Sequence, residues 1–434
     1  MSNKIVWFKN ELRLEDNEML YAACSSGSKV LPVYIFDPRD YELISELGFQ
    51  RSGPYRTKFL IESVANLRKN LKSIGGDLIV RIGHPEEIIP QLAIQSNSKQ
   101  VYLAKEVTIY EKQVISRLEQ QLISQGIEMV QFWQNTLLHE QDVPWPIKQV
   151  PQVFTDFRKE AESESEVRKI FPKPEIIAML PGVEHGEIPT VENLGVQPEQ
   201  ADGRVVLDFK GGEDSGWKRM QTYIWEKDLL KKYKVTRNGL LGADYSSKLS
   251  PWLANGCLSP KSIYYQIKKY EDERVKNRST YWLFFELMWR DFFKYMAKQN
   301  GADIFKLKGL NDHTPPTGKN KETFERWKQG DTGEHFVDAN MVELLKTGYM
   351  SNRGRQLVAS YLIHEMNIDW RWGAAWFENR LIDYDPCSNW LNWAYIAGVG
   401  NDPQGGRNFN IESQQQKYDP DGKYIDYWLK PVTQ

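Results

Sequence analysis

The sequence predicts an α/β domain joined through an irregular connector to an all-helical domain. Three observations carry this. Over residues 1–138, short β-branched runs alternate with amphipathic segments; over residues 139–210, prolines and charges interrupt every period; over residues 211–434, the apolar period is helical and tryptophan is abundant. With 434 residues, 41% of them hydrophobic and 26% charged, the chain can bury more than one core.

The first stretch offers five strands: Lys4–Phe8, Val30–Phe36, Leu78–Ile82, Gln100–Ala104 and Ile127–Phe132. Between them, Asp16–Ala23, Tyr55–Ser73, Glu86–Gln95 and Tyr110–Gln125 carry apolar residues at helical spacing. Strands alternating with helices predict a parallel, Rossmann-like sheet. Its first strand-to-helix turn, KNELRLEDNE, contains no glycine, so the usual dinucleotide fingerprint is absent. In the connector, eight of the 21 prolines fall between Pro144 and Pro198, which predicts a meander without long regular elements. In the third stretch, Tyr281–Lys298 is apolar nearly all round and predicts a central buried helix. Val337–Lys346, Arg353–Met366 and Trp376–Leu381 add further helical periods. Twelve of the 15 tryptophans lie from Trp217 onward, as core, cofactor wall or electron path.

Composition excludes several classes. Lys+Arg is 56 against 58 Asp+Glu, a net charge of -2, so any nucleic-acid surface must be a local groove. Three separated cysteines exclude a disulfide scaffold. No apolar run near the start suits a signal peptide, and none reaches the about 18 residues of a membrane span, so a cytoplasmic protein is expected. The six histidines lack metal-ligand spacing, and no hydrolase or P-loop motif occurs, so no metal is expected.

Four segments could carry chemistry. Trp282, Glu286, Trp289 and Phe293 share one stripe of the central helix, which sets a carboxylate in an aromatic surface. Such a carboxylate is either paired with an arginine such as Arg290 or aimed at a polar ligand. SNRGRQ puts Asn352 and Gln356 on one helix face with Arg353 and Arg355 beside them, and LIDYDPCSNWLNW holds Asp383, Asp385 and Asn389 among apolar residues. YSSKLSP offers hydroxyls, amides and a lysine before a helix, either a phosphate cradle or a plain N-cap.

Long ordered blocks carry a resemblance along nearly the whole chain. They include VWFKNELRLEDNEML, SGPYRTKFLIESVANLRKNL, TRNGLLGADYSSKLSPWLANGCLSP, STYWLFFELMWRDFF, TGYMSNRGRQLVAS and IDWRWGAAWFENRLIDYDPCSNWLNWAYIAGVGNDP, with FNIESQQQKYDPDGKYIDYWL near the end. Together they resemble the photolyase/cryptochrome family, most closely its DASH branch. The resemblance implies FAD in the helical domain, residues 211–434, and an antenna domain over residues 1–138. It places Tyr233, Ser246, Ser247, Lys248, Leu249 and Ser250 at the phosphates. Glu286, Trp289, Arg290, Asn352, Arg355, Asp383 and Asp385 would line the flavin and adenine, with Asn389 against flavin nitrogen 5.

The implied reaction is light-driven. Reduced FAD passes an electron to a cyclobutane pyrimidine dimer, the ring opens and the electron returns, a deoxyribodipyrimidine photo-lyase reaction. Glu286, Trp289, Asn352, Arg353, Gln356 and Tyr395 would meet the flipped lesion. Double-strand photolyases carry Met at the place of Gln356 and Trp at that of Tyr395. The weaker stacking surface favours dimers in single-stranded DNA, where extrusion costs least. A (6-4) photoproduct enzyme is disfavoured, because Ser351–Gln356 holds no histidine. Trp393 and Trp370 match two members of the family's electron chain, whereas the outer position is Thr317; Trp372 or Trp376 is the expected substitute. A methenyltetrahydrofolate antenna is implied at Phe36, Asp37 and Glu106. The alternative is a blue-light photoreceptor that binds FAD and nucleic acid and regulates through a partner; a monomer is expected in either case.

Overall fold

The computed structural model describes residues 3–430; the chain ends, including the final PVTQ, lie outside the described residues. Strands β1 (Asn3–Phe8), β2 (Val30–Phe36), β5 (Ile79–Ile82), β6 (Ser98–Ala104) and β7 (Glu128–Phe132) form one parallel sheet in the order β5-β2-β1-β6-β7. β3 (Leu43–Ile44) and β4 (Phe49–Gln50) make a small antiparallel hairpin that the periodicity did not announce. All seven residues of β2 are buried, because helices cover both faces of a parallel sheet. Each expected strand starts or ends within two residues of the observed one.

The glycine-free first turn is the seam between the domains. Arg13 donates to the carbonyl of Gly256 at 2.8 Å and to Asn135 Oδ1 at 2.7 Å, and the Leu12 N–H reaches Asn255 O at 3.2 Å. Gly256 sits at φ +62, and a Cβ there would meet Asn10 O at 1.8 Å, so only glycine allows this approach. From the other side, Glu213 accepts from the N–H groups of Leu14 and Glu15. A turn occupied by protein in this way has no room for a pyrophosphate.

The connector is more ordered than its composition predicts. Phe154–Glu164 is an 11-residue helix whose Phe154, Phe157 and Ala161 are buried. The prolines flank it, so its apolar i, i+3, i+7 stripe is free to dock. Farther on, the connector lies beside the sheet: Met179 bridges Val30, and the Val80 N–H reaches His185 O at 2.7 Å.

The helical domain is built around Arg278–Asn300, 23 residues long and opened by an Asn277–Thr280 capping box. Pro386–Ile396 packs against it, and Asn352–Ser360 and Trp370–Arg380 pack in turn against Pro386–Ile396. Among the described residues, no helix is long and apolar enough to cross a membrane, and no cluster could hold a metal ion.

Candidate functional site

Two helix starts set the geometry of a cavity in the helical domain. The Ser351 hydroxyl accepts from the Gly354 N–H at 3.0 Å and fixes the start of Asn352–Ser360. The Asp385 carboxylate accepts from the Ser388 N–H at 2.7 Å and does the same for Pro386–Ile396. Asn352 and Gln356, four residues apart, then share one face. They line the cavity with Arg355, Asp383, Asp385, Asn389 and Trp393. The sequence segments SNRGRQ and LIDYDPCSNWLNW thus meet in one place.

Two of these polar groups are fixed by the protein. The Asn389 amide donates to Ala374 O at 3.0 Å, which fixes its orientation. Arg355 donates from Nε to Met350 O at 2.9 Å and from Nη2 to Asp383 Oδ2 at 2.9 Å. Burial works to lower the Arg355 pKa, but Asp383 outweighs it and the net shift is upward. The Trp393 ring covers Gly373, where a Cβ would meet its Cη2 at 2.2 Å.

The serine loop is clamped from behind. Arg219 donates to the carbonyls of Ser247 at 2.9 Å, Ala243 at 2.9 Å and Ser246 at 3.0 Å. Lys248 takes φ +54 and buries its ammonium 3.0 Å from the Tyr245 ring centroid. Burial lowers its pKa to about 6 against the opposing pull of Glu343, and burial raises Glu343 to about 7. Leu249 is buried, whereas Ser250 is exposed and opens a five-residue helix. Lys248 Nζ, Glu343 Oε1, Tyr245 Oη and Asp383 Oδ1 are all buried without a partner. Buried polar atoms are normally paired. This stranded group therefore fits a large ligand that brings both anionic and hydrogen-bonding atoms.

The aromatic stripe forms a second wall. Glu286 is paired with Arg237 rather than Arg290; burial pushes its carboxyl up, and Arg237 holds it back. The Tyr233 hydroxyl lies in the same cluster, against Glu286 and Arg237. Trp289 stacks on Phe154 of the connector helix at 3.7 Å and meets Tyr395 edge-on at 6.3 Å.

Two expected site residues point elsewhere. Arg290 gives its guanidinium to the carbonyls of Asn135 and Leu253 and lines the cleft between the domains. One residue beyond Trp289, it is about 100° farther round the helix. Arg353 packs 5.0 Å from the Tyr418 ring and 5.7 Å from Phe409, apart from its neighbours Asn352 and Gln356. The sequence reading missed Arg219, Arg237 and Glu343. Glu343 carried the same signal as Glu286, a carboxylate in an apolar helix; the two arginines carried none.

The pattern of the DNA photolyase family matches residues 4–175, and that of the FAD binding domain of DNA photolyase matches residues 282–434, which contain every residue lining the cavity. A cryptochrome DASH from Gloeobacter violaceus is 49% identical over all of this chain and 87% of its own length. The chain belongs to the photolyase/cryptochrome family, in its DASH branch. A chloroplastic/mitochondrial cryptochrome DASH from Arabidopsis thaliana is 45% identical over 99% of this chain and 75% of its own. The crystal structure of a Synechocystis sp. PCC6803 cryptochrome superposes with a TM-score of 0.95 at 48% identity, over 98% of this chain and 88% of that one. A class III photolyase from Agrobacterium tumefaciens gives a TM-score of 0.84 at 27% identity, over 99% and 86%.

In this DASH-branch chain the cleft between the domains is lined by Asp37, Glu106, Arg51, Arg56, Tyr110 and Glu111, with Tyr384 and Asp385 shared with the cavity. Glu106 pairs with Lys9 at 2.9 Å, and Asp37 with Arg39. Burial pushes Glu111 up to about 7, with Glu106 adding to the shift. Phe36 does not reach the cleft; at 1% exposure it lies in the core against Tyr34, 4.9 Å away. The tryptophan contacts also differ from expectation. Fully buried Trp370 meets Trp390 at 5.9 Å, whereas Trp372 packs on Phe324 and Trp376 on Phe49. Trp393 meets Phe377 at 5.0 Å and Trp327 at 6.1 Å.

Proposed function

We propose that this chain is a light-driven lyase that opens cyclobutane pyrimidine dimers, preferentially in single-stranded DNA. The observation that carries the reading is the stranded buried polarity of Lys248, Glu343, Tyr245 and Asp383, the last of which lines the cavity beside Arg355. Lys248, with Tyr233, Ser246, Ser247, Leu249 and Ser250, would hold the FAD phosphates. Asn352, Arg355, Asp383, Asp385 and Asn389 would hold its rings. Reduced FAD, when bound, supplies the light-driven electron that opens the dimer. The chain's own part is positioning. Trp289 and Tyr395 wall the flipped bases, Gln356 and Asn352 offer amides to their edges, and Glu286, whose carboxyl burial shifts toward the protonated form, donates to a lesion carbonyl.

Light-dependent repair of a dimer-containing single-stranded oligonucleotide tests this reading. Glu286→Ala is expected to retain flavin and to lose about tenfold to a hundredfold in repair yield, the worth of one hydrogen bond to a charged group. Unchanged yield per bound dimer would return Glu286 to a structural role. The name cryptochrome, shared by the curated relatives, favours a second reading as a blue-light photoreceptor. Flavin photochemistry without repair in the same assay would select it.

The cleft between the domains supports a methenyltetrahydrofolate antenna. Glu106→Ala is expected to abolish folate absorbance beyond that of flavin after reconstitution, because it removes a carboxylate of the cleft wall and leaves Lys9 unpaired. Folate absorbance equal to that of wild type would overturn the assignment.

Lys248 gives a pH signature. Its folded pKa of about 6 lies below the ordinary 10.5, so between those values the unfolded chain holds more protons than the flavin-free fold. Stability of the flavin-free protein therefore falls as the pH drops through that window. Flavin-free Lys248→Met is expected to melt several degrees above flavin-free wild type at pH 7, with the gap closing toward pH 10. The same variant should hold flavin at least about tenfold more weakly, having lost a charged contact. Melting curves that coincide at pH 7 would show that the amine is not buried in this way.

A further inference from the structure

Tyr395, in the last turn of the Pro386–Ile396 helix, is half-exposed, with its ring 88° from the plane of Trp289. A half-exposed phenol ordinarily turns its hydroxyl to water. Here the chain folds back to meet it. After the helix, Gly398 lies so close to Gly405 that a Cβ would stand 2.5 Å from the Gly405 carbonyl, and the Arg407 N–H reaches Ile396 O at 3.1 Å. The return brings a guanidinium to the phenol. Arg407 Nη2 donates to Tyr395 Oη at 2.9 Å and to Asp402 Oδ1 at 3.1 Å, while Nε pairs with Asp402 Oδ2 at 2.7 Å. The Asp402 carboxylate is fully buried, and Arg407 Nη1 is taken by Gln404 Oε1 at 2.6 Å. A guanidinium with three hydrogen bonds and an ion pair to protein is oriented by protein.

We propose that Arg407 is a positioning residue. Backed by Asp402, it pins the Tyr395 hydroxyl so that the ring stands perpendicular to Trp289 as a preformed wall for a flipped base. The inference rests on the lesion-binding reading and deepens it. Phenylalanine at position 395 would fill the same space without the anchor, and an unanchored ring must be ordered each time a base enters. The pinned hydroxyl also gives a physical role to a tyrosine where the family's double-strand enzymes carry tryptophan.

The test is fluorescence anisotropy in the dark, with flavin-loaded protein and two single-stranded oligonucleotides that differ only in one cyclobutane dimer, over a salt series. Wild type is expected to prefer the dimer strand. Tyr395→Phe and Arg407→Gln should each lower that preference about tenfold, by losing the ordering of one side chain. The double variant should be no worse than either single, and Arg407→Lys should restore part of the loss. The salt dependence should stay parallel to that of wild type. If Arg407→Gln instead weakens both strands equally and flattens the salt slope by about 0.7, Arg407 is a phosphate contact and the proposal falls. Tyr395→Phe with full wild-type preference also overturns it, and carries the test alone should Arg407→Gln fail to load flavin. A wild type without any dimer preference would sink the lesion-binding reading itself, whereas a preference insensitive to both residues sinks only the positioning role.

Discussion

Replacing Arg355 and Asp383 together by alanine is expected to leave a folded protein that no longer retains flavin. The pair is the charged centre of the cavity, joined at 2.9 Å, and Asp383 keeps one buried oxygen without a partner. Removing one member alone would strand the other charge, at about 3–5 kcal/mol, and confuse folding with binding. Removing both avoids that penalty and takes away two charged contacts to the ligand, each worth about 1.5–3 kcal/mol. Together these correspond to about a hundredfold or more in affinity. The ratio of flavin to protein absorbance after desalting measures the effect, and circular dichroism checks the fold. Full flavin occupancy in the double variant would move the site away from this cavity.

Light-driven reduction of bound oxidised flavin by an external thiol is expected to collapse in Trp393→Phe and to fall clearly in Trp390→Phe. Trp393 is the tryptophan that lines the cavity. Trp370, the next position in the family's chain, is fully buried and cannot reach a reductant in solution. With Thr317 in the outer slot, an electron hole on Trp370 needs another way out. Trp390 is the exit expected from the geometry: its ring lies 5.9 Å from Trp370, it is half-exposed, and its indole N–H donates to Tyr384 Oη at 3.2 Å. The rings of Trp372 and Trp376, the exits expected from sequence, pack instead on Phe324 and Phe49. Thr317→Trp should raise the rate, because the slot adjoins Gly318, whose carbonyl accepts from Asp369 at the start of the Trp370 helix. A rate unchanged in Trp390→Phe but lowered in Trp372→Phe or Trp376→Phe would restore the original expectation.

Sequence alone determined the elements whose signal is local. The five sheet strands were legible because a parallel strand covered on both faces needs a continuous apolar run, and VLPVYIF is one. The central helix was legible because YWLFFELMWRDFF is apolar all round. The cavity's residues were legible as ordered blocks, and Asn352 with Gln356 as an i, i+4 pair. Proline count misled in the connector, because eight prolines spread over a long segment still leave FTDFRKEAESE free to form a helix. Only the tertiary structure decided which side chains meet. The Arg237–Glu286 pair, the Arg219 clamp on the serine loop, the Phe154–Trp289 stack and the Arg407–Tyr395 anchor join segments that no short spacing relates. The same holds for the residues it turned away: Arg290 to the cleft, Arg353 to Tyr418 and Phe36 to the core. A helix period says which face a residue occupies. What that face touches depends on packing between elements distant in the chain, and that packing chose among partners the sequence left equal.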